Sequence, residues 1–258
     1  MPSCRCRLGA AAIVAATSLL SATPAWSAHP LITEDAYTLG QGVAQAELGF
    51  EQAHFDQPDA QGHTNDLRLT LSYGVRDDMD LLLGAPYLNT RAFSAAGVER
   101  TSGLGDVALE LKWRFWEGPL TRLAIKPGLT FPTGDFRQGL GGGGVVPSVF
   151  LVSTSERGPW IWNIHVGYVR NDNRVHERED LAHLSGSVVY RQGTRMQWAL
   201  DLSADSNLDP DKGTFPAVAL VAAIYSPTEN LDLDLGFKLG LNGVADDYAL
   251  LTGVTRRW

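Results

Sequence analysis

The chain has 258 residues, 44% hydrophobic and 19% charged, ordinary proportions that exclude a disordered or collagen-like polypeptide. Acidic residues outnumber basic ones 29 to 21, and the net charge of −8 argues against a nucleic-acid binder. The only uninterrupted apolar and small-residue run, 8–20, is too short for a membrane-spanning helix, and both cysteines, Cys4 and Cys6, lie ahead of it.

Arg5 and Arg7 precede that run, and Ala25-Trp26-Ser27-Ala28 follows it. A charged start, a short apolar middle and small residues at a cut site describe a secretory signal peptide over 1–27, cleaved after Ser27 or Ala28. The mature chain is then exported, free of cysteine and more acidic, having lost two bases. Without disulfides, an exported domain of this size needs extensive hydrogen bonding or a large core. Residues 28–42 are too irregular for a strand and read as a periplasmic N-terminal segment or an internal plug. Residues 43–258 read as one β domain.

Strands are expected at 44–54, 67–75, 80–88, 107–115, 120–131 and 146–155. A further six are expected at 160–169, 181–191, 196–205, 215–226, 231–241 and 248–258. The clearest are 67–75, 107–115 and 231–241, where apolar and polar or glycine residues alternate without a break. Helical spacing would set Asp232 and Asp234 among leucines, so period two decides for strand. These runs have the length that crosses a bilayer at a tilt. The 215–226 segment is apolar on both faces, which leaves its orientation open. Pro86, Pro127 and Pro216 each fall within an expected strand and remove a ladder donor, so a bulge is expected at each.

Connections alternate in length. Tight turns at 76–78, 116–119, 156–159, 192–195 and 227–230 are rich in Gly, Pro, Asp or Asn. Polar stretches at 56–65, 89–103, 133–145, 171–180, 206–214 and 243–247 separate them. Tyr73, Phe115, Trp160, Trp162, Tyr190, Trp198, Tyr225 and Trp258 fall at the tight-turn ends of their strands, and Tyr87, Tyr168 and Tyr248 near the opposite ends, as two interfacial belts require. The expected fold is therefore all-β: a transmembrane antiparallel up-and-down β-barrel of about 12 strands in the bacterial outer membrane. The rows opposite the lipid-facing ones supply the candidate lumen-lining residues Arg68, Glu110, Lys112, Arg114, Arg122, Lys126, His165, His183, Asp201, Asp232, Asp234 and Lys238. They imply a hydrated, mixed-sign interior, either lining a pore or forming an ion-paired network that holds the barrel together. Twelve strands suit a narrow pore or one small ligand.

Several stretches resemble an outer-membrane family described as "MetA-pathway of phenol degradation", a transporter-like group. They are His29-Pro30-Leu31-Ile32-Thr33-Glu34-Asp35-Ala36-Tyr37, Gly103-Leu104-Gly105-Asp106-Val107, Lys126-Pro127-Gly128-Leu129-Thr130-Phe131-Pro132-Thr133-Gly134-Asp135 and Glu229-Asn230-Leu231-Asp232-Leu233-Asp234-Leu235-Gly236. The resemblance spans nearly the whole mature chain and implies a barrel that passes hydrophobic or aromatic compounds. Its motifs are structural, so no binding site carries over.

Other chemistry finds little support in the residues. Gly139-Leu140-Gly141-Gly142-Gly143-Gly144 lacks the Lys-Ser/Thr and the helix of a phosphate loop and reads as a flexible outer loop. His176 and His183 are seven apart, not four, so the loop around them reads as solvated charge rather than a metal site. A barrel lipase or protease is the enzymatic alternative, but no histidine is evidently placed beside a serine. A structural barrel without transport is the other. The expected partners are membrane lipid, a small-molecule solute, and the outer-membrane assembly machinery acting through the C-terminal strand that ends at Trp258. No cofactor and no metal are expected.

Overall fold

A computed structural model describes residues 29–57, 60–94 and 97–258, so the expected signal peptide lies outside the described residues. Among those residues the chain forms β1 (Ala44–Gln57), β2 (Ala60–Arg76), β3 (Met79–Ser94), β4 (Gly97–Leu104), β5 (Val107–Glu117), β6 (Thr121–Phe131) and β7 (Val146–Arg157). It continues through β8 (Trp160–Arg170), β9 (Asp180–Gln192), β10 (Met196–Asp205), β11 (Ala217–Thr228), β12 (Leu231–Gly240) and β13 (Tyr248–Arg257). Every neighbouring pair is antiparallel, and β1 pairs with both β2 and β13, in register from Gln45↔Arg257 to His54↔Tyr248. The sheet thus closes on itself. β5 pairs with β3 over 79–84 and β4 pairs with it over 87–94, so β4 and β5 run end to end as one stave. The barrel has twelve staves, as the alternation implied.

Closure explains how the backbone satisfies itself without water, since a ring of strands leaves no edge of bare N–H and C=O groups. Alternation then sorts the side chains. Leu67, Leu69 and Leu71 are 40–44% exposed on the outer surface, whereas Ser72 in the inward row is only 8% exposed. The same apolar rows cover the outside of every stave, a surface that water would not support and hydrocarbon would. Trp160 and Tyr190 pack against each other on it in a tilted pair with centroids 4.8 Å apart, at the tight-turn rim. If that surface meets lipid, Leu235→Arg, mid-strand in β12, costs about 2–4 kcal/mol. On a water-facing surface the same change costs within about 0.5 kcal/mol. Urea titration of the barrel refolded in vesicles distinguishes the two.

Three sequence expectations need correcting. First, 56–65 and 89–103 are not loops: β1 and β2 stay paired to Gln57↔Ala60, and β3 and β4 to Ser94↔Gly97. Gln52 pairs with Asn65 across the first of these tall hairpins, and the pair of Thr64 with Thr90 joins the two. Above the lipid boundary both strand faces meet water, so no alternation marks them.

Second, no bulge forms at the prolines. Pro86 keeps its register with Arg68, and its missing donor falls where β3 changes partner from β5 to β4. Its carbonyl there accepts from Gly105 N at 2.9 Å. Pairing between β5 and β6 lapses opposite Pro127 without a change of register, and Pro216 precedes β11. The register shifts that do occur lie between Gly74 and Arg76, Trp113 and Trp116, and Tyr225 and Thr228. All are beside tight turns, where added twist is easily absorbed.

Third, the glycine-rich outer loop is pinned rather than flexible. Asp106 accepts from Gly134 N and Gly142 N, each at 2.9 Å. A Cβ on Gly141 would lie 2.2 Å from the Asp106 carboxylate, so glycine is needed there for close approach.

Candidate functional site

The interior is not uniformly hydrated. From β1 and β8 to β13, many inward positions are apolar: Ala53, Ile161, Val189, Ala199, Leu220, Ala222, Ala249 and Leu251 form one buried cluster, with Leu31 packed against it. β11, whose orientation the sequence left open, turns Leu220, Ala222 and Ile224 inward and Val221 and Tyr225 outward. Leu31 is partly buried there and so gains a fraction of the about 1.5–3 kcal/mol that full burial is worth.

Leu31 belongs to the stretch ahead of β1, which is bonded to inward residues of many staves. Ile32 N and Thr33 N donate to Asp201 Oδ2 at 2.9 and 2.8 Å, and Thr33 Oγ1 donates to Asp201 Oδ1 at 2.8 Å. Ala36 N donates to Thr154 Oγ1 at 2.8 Å, and that hydroxyl donates onward to Asn163 Oδ1 at 2.7 Å. Leu39 N donates to the Asp80 carboxylate, and Gly42 N to Gly74 O. At the other end His29 Nδ1 lies 2.8 Å from Asp234 Oδ1. Burial works against a charge on His29, but the Asp234 carboxylate outweighs it and raises the histidine above its ordinary pKa. The wall is hollowed for this ring: a Cβ on Gly49 would sit 2.5 Å from it and one on Gly253 2.4 Å.

Glu34 stands at the centre. Its carboxylate takes Lys112 Nζ at 3.0 Å and Lys126 Nζ at 2.5 Å. Burial alone would raise its pKa, but the two ammonium groups reverse that and hold it well below the carboxylate range. Asp35, 3.4 Å from Lys112, is pushed up to about 6 by burial despite that lysine. Charges this enclosed persist only when paired.

Most candidate lumen residues are engaged in this way. Glu110 pairs with Lys126 at 3.3 Å. Arg114 and Arg122 reach Glu117 near the tight-turn rim, and the Arg122 guanidinium lies 5.1 Å over the Tyr37 ring. Asp232 takes Arg257 at 2.7 Å, and Lys238 pairs with Glu51. Arg68 stands apart toward the long-loop rim, 62% exposed and paired with Asp66. The structure thus gathers Glu110, Lys112 and Lys126 around Glu34, brings His165 to His183, and leaves Arg68, Asp232 and Lys238 in separate pairs. Sequence reasoning missed Thr33, Glu34, Asp35 and Arg257, whose partners lie far along the chain.

It also missed a serine beside a histidine. His183 Nδ1 lies 2.6 Å from Asp205 Oδ1, and His183 Nε2 lies 2.9 Å from Ser185 Oγ. Ser185, on an inward row and only 3% exposed, is closed to a substrate carbonyl.

Two cavities lie within the barrel, one of them against the N-terminal stretch. One, of about 460 Å³, lies between Glu34, Tyr37 and Leu39 and the inward rows of β1 to β6, including Glu47, Arg68, Ser72, Asp80 and Glu110. The other, of about 480 Å³, opens at the long-loop rim among Phe150, Val169, Leu181, His183, Leu208 and Val244.

The profile of the family described as "Putative MetA-pathway of phenol degradation" matches residues 28–258. No curated protein matches the sequence. Among solved structures, the COG4313 outer membrane channel from Pseudomonas putida F1 superposes with a TM-score of 0.68 at 19% identity, covering 87% of this chain and 98% of that one. The NanC porin gives 0.53 at 11%, over 83% and 98%, and the KdgM porin 0.53 at 10%, over 82% and 98%. At such identities the likeness is one of fold.

Proposed function

Because the chain belongs to the MetA-pathway phenol-degradation family, we propose that it is an outer-membrane channel for passive uptake of small, hydrophobic or aromatic solutes, narrowed by its own N-terminal stretch acting as a plug. The observation that carries this reading is the 460 Å³ cavity, which runs between Glu34, Tyr37 and Leu39 on one side and the inward rows of β1 to β6 on the other. The plug is anchored to staves on opposite sides of the lumen, and the space left beside it suits small solutes and excludes large ones. The apolar outer cavity favours uncharged solutes at the mouth. In this reading the signal peptide exports the chain, and the C-terminal strand ending at Trp258 is the segment that the outer-membrane assembly machinery engages.

The structural-barrel alternative draws on the many inward ion pairs, but pairing also keeps fixed charges from trapping a solute. The enzymatic alternative has the Asp205–His183–Ser185 chain, with its serine enclosed. Purified barrel in planar bilayers is expected to conduct, and in liposomes to admit phenol faster than a disaccharide. Absence of conductance and uptake, in both the wild type and a variant lacking 29–41, overturns the channel.

A further inference from the structure

Three rings, Phe150, His165 and His183, cluster between the linings of the two cavities. Phe150, inward on β7, lines the outer cavity, while Lys126, its register partner on β6, lines the inner one. Lys126 Nζ sits 5.5 Å from the Phe150 ring centroid. One edge of the ring covers Gly167 of β8, where a Cβ would come within 2.1 Å of Phe150 Cδ1. It therefore occupies the space a β8 side chain would fill, and no covalent or hydrogen-bonded partner fixes it there. His165 lies tilted against Phe150, centroids 4.8 Å apart, and meets His183 edge to face at 4.7 Å. His165 is 5% exposed, and neither ring nitrogen has a hydrogen-bond partner among the described residues. Buried polar atoms are ordinarily paired, so two orphan nitrogens in one ring packed against two cavity-lining rings call for a reason.

Resting on the channel reading, we infer that Phe150 is the solute gate between the cavities, and that His165 is the hydrogen-bonding group its movement uncovers. Turning Phe150 about its side-chain torsion, off Gly167 and away from Lys126, joins the outer cavity to the inner one. The contacts given up are a cation–aromatic contact and tilted or edge-to-face ring contacts, which are weak enough to exchange for the same contacts with a passing ring. The solute class follows from the geometry. A small planar solute stacks where Phe150 stood, and one polar group on it reaches His165. An ion would have to shed water against Phe150 and the apolar mouth.

Single-channel recording and liposome uptake test this on the full mature chain, with slower gel migration after boiling confirming that each variant is a closed barrel. Phe150→Ala should raise phenol uptake several-fold, and Phe150→Trp should lower it. Gly167→Ala, which pushes the ring off its seat without removing it, should act like Phe150→Ala. His165→Phe should reduce phenol uptake relative to benzene while leaving ionic conductance unchanged. If the wild type conducts and deletion of 29–41 raises conductance, but Phe150→Ala and Gly167→Ala match the wild type, the gate is refuted and the channel stands. If phenol and benzene uptake fall equally in His165→Phe, its assigned role is refuted. If the wild type, the deletion and Phe150→Ala are all silent, both readings fall.

Discussion

Deleting residues 29–41 is expected to raise single-channel conductance at least about twofold and to move selectivity toward anions. The segment contributes nothing to the barrel ladder, whose seam of β1 against β13 starts at Gln45, so the staves close without it. What is lost is the Leu31 side chain within its apolar cluster, the bonds to Asp201, Thr154 and Asp80, and two carboxylates, Glu34 and Asp35. Lys112 and Lys126 are then left facing open water, with Asp80 across the strand pair from Lys112 and Glu110 beside Lys126 as remaining acid partners. A wider lumen with two unmasked ammonium groups favours anions. Conductance and reversal potential in a salt gradient check both parts, and unchanged conductance would mean that the segment does not obstruct the pore.

Asp201→Ala is expected to release the segment while leaving the barrel intact. One carboxylate accepts two backbone amides and a hydroxyl, all at 2.8–2.9 Å. Hydrogen bonds to a charged group contribute about 1.5–3 kcal/mol each, and two buried amides would be left without an acceptor. Discounting for non-additivity, about 4 kcal/mol of local anchoring disappears, or roughly three orders of magnitude in the opening equilibrium. Exchange at the Ile32 and Thr33 amides should accelerate accordingly, while the urea midpoint of the barrel barely moves. Asp201→Asn, which keeps an acceptor oxygen, should fall between. Unaltered exchange would show that packing of Leu31 and the Glu34 ion pairs suffice to hold the segment.

The barrel was legible because period two is a local property: Leu231, Leu233 and Leu235 declare their face without reference to any other strand. β10 matches its expected bounds, Met196–Asp205, for the same reason. The upper hairpins were not legible, since Thr64 and Thr90 sit where both faces are wet and composition there is that of a loop. The site was legible only as a row of inward charges. Which of them meet depends on register and closure, as with Asp205 facing His183 across β9 and β10. The N-terminal stretch has no period at all. Its meaning lies in partners such as Asp201, 168 residues from Thr33, which no local pattern reveals.

The two tall hairpins, β1 with β2 and β3 with β4, rise on one side of the mouth only. They form a half-collar against the sugar-rich layer outside the cell, while the opposite side carries the shorter crossing at 206–216, tied down by Arg178 to the carbonyls of Asn207, Asp209, Pro210 and Lys212. On the channel reading, solutes are expected to approach from that lower side, over the cavity that Phe150 lines. A bulky binder seated on 206–216 would stop it, whereas the same bulk on a hairpin tip would leave the doorway clear.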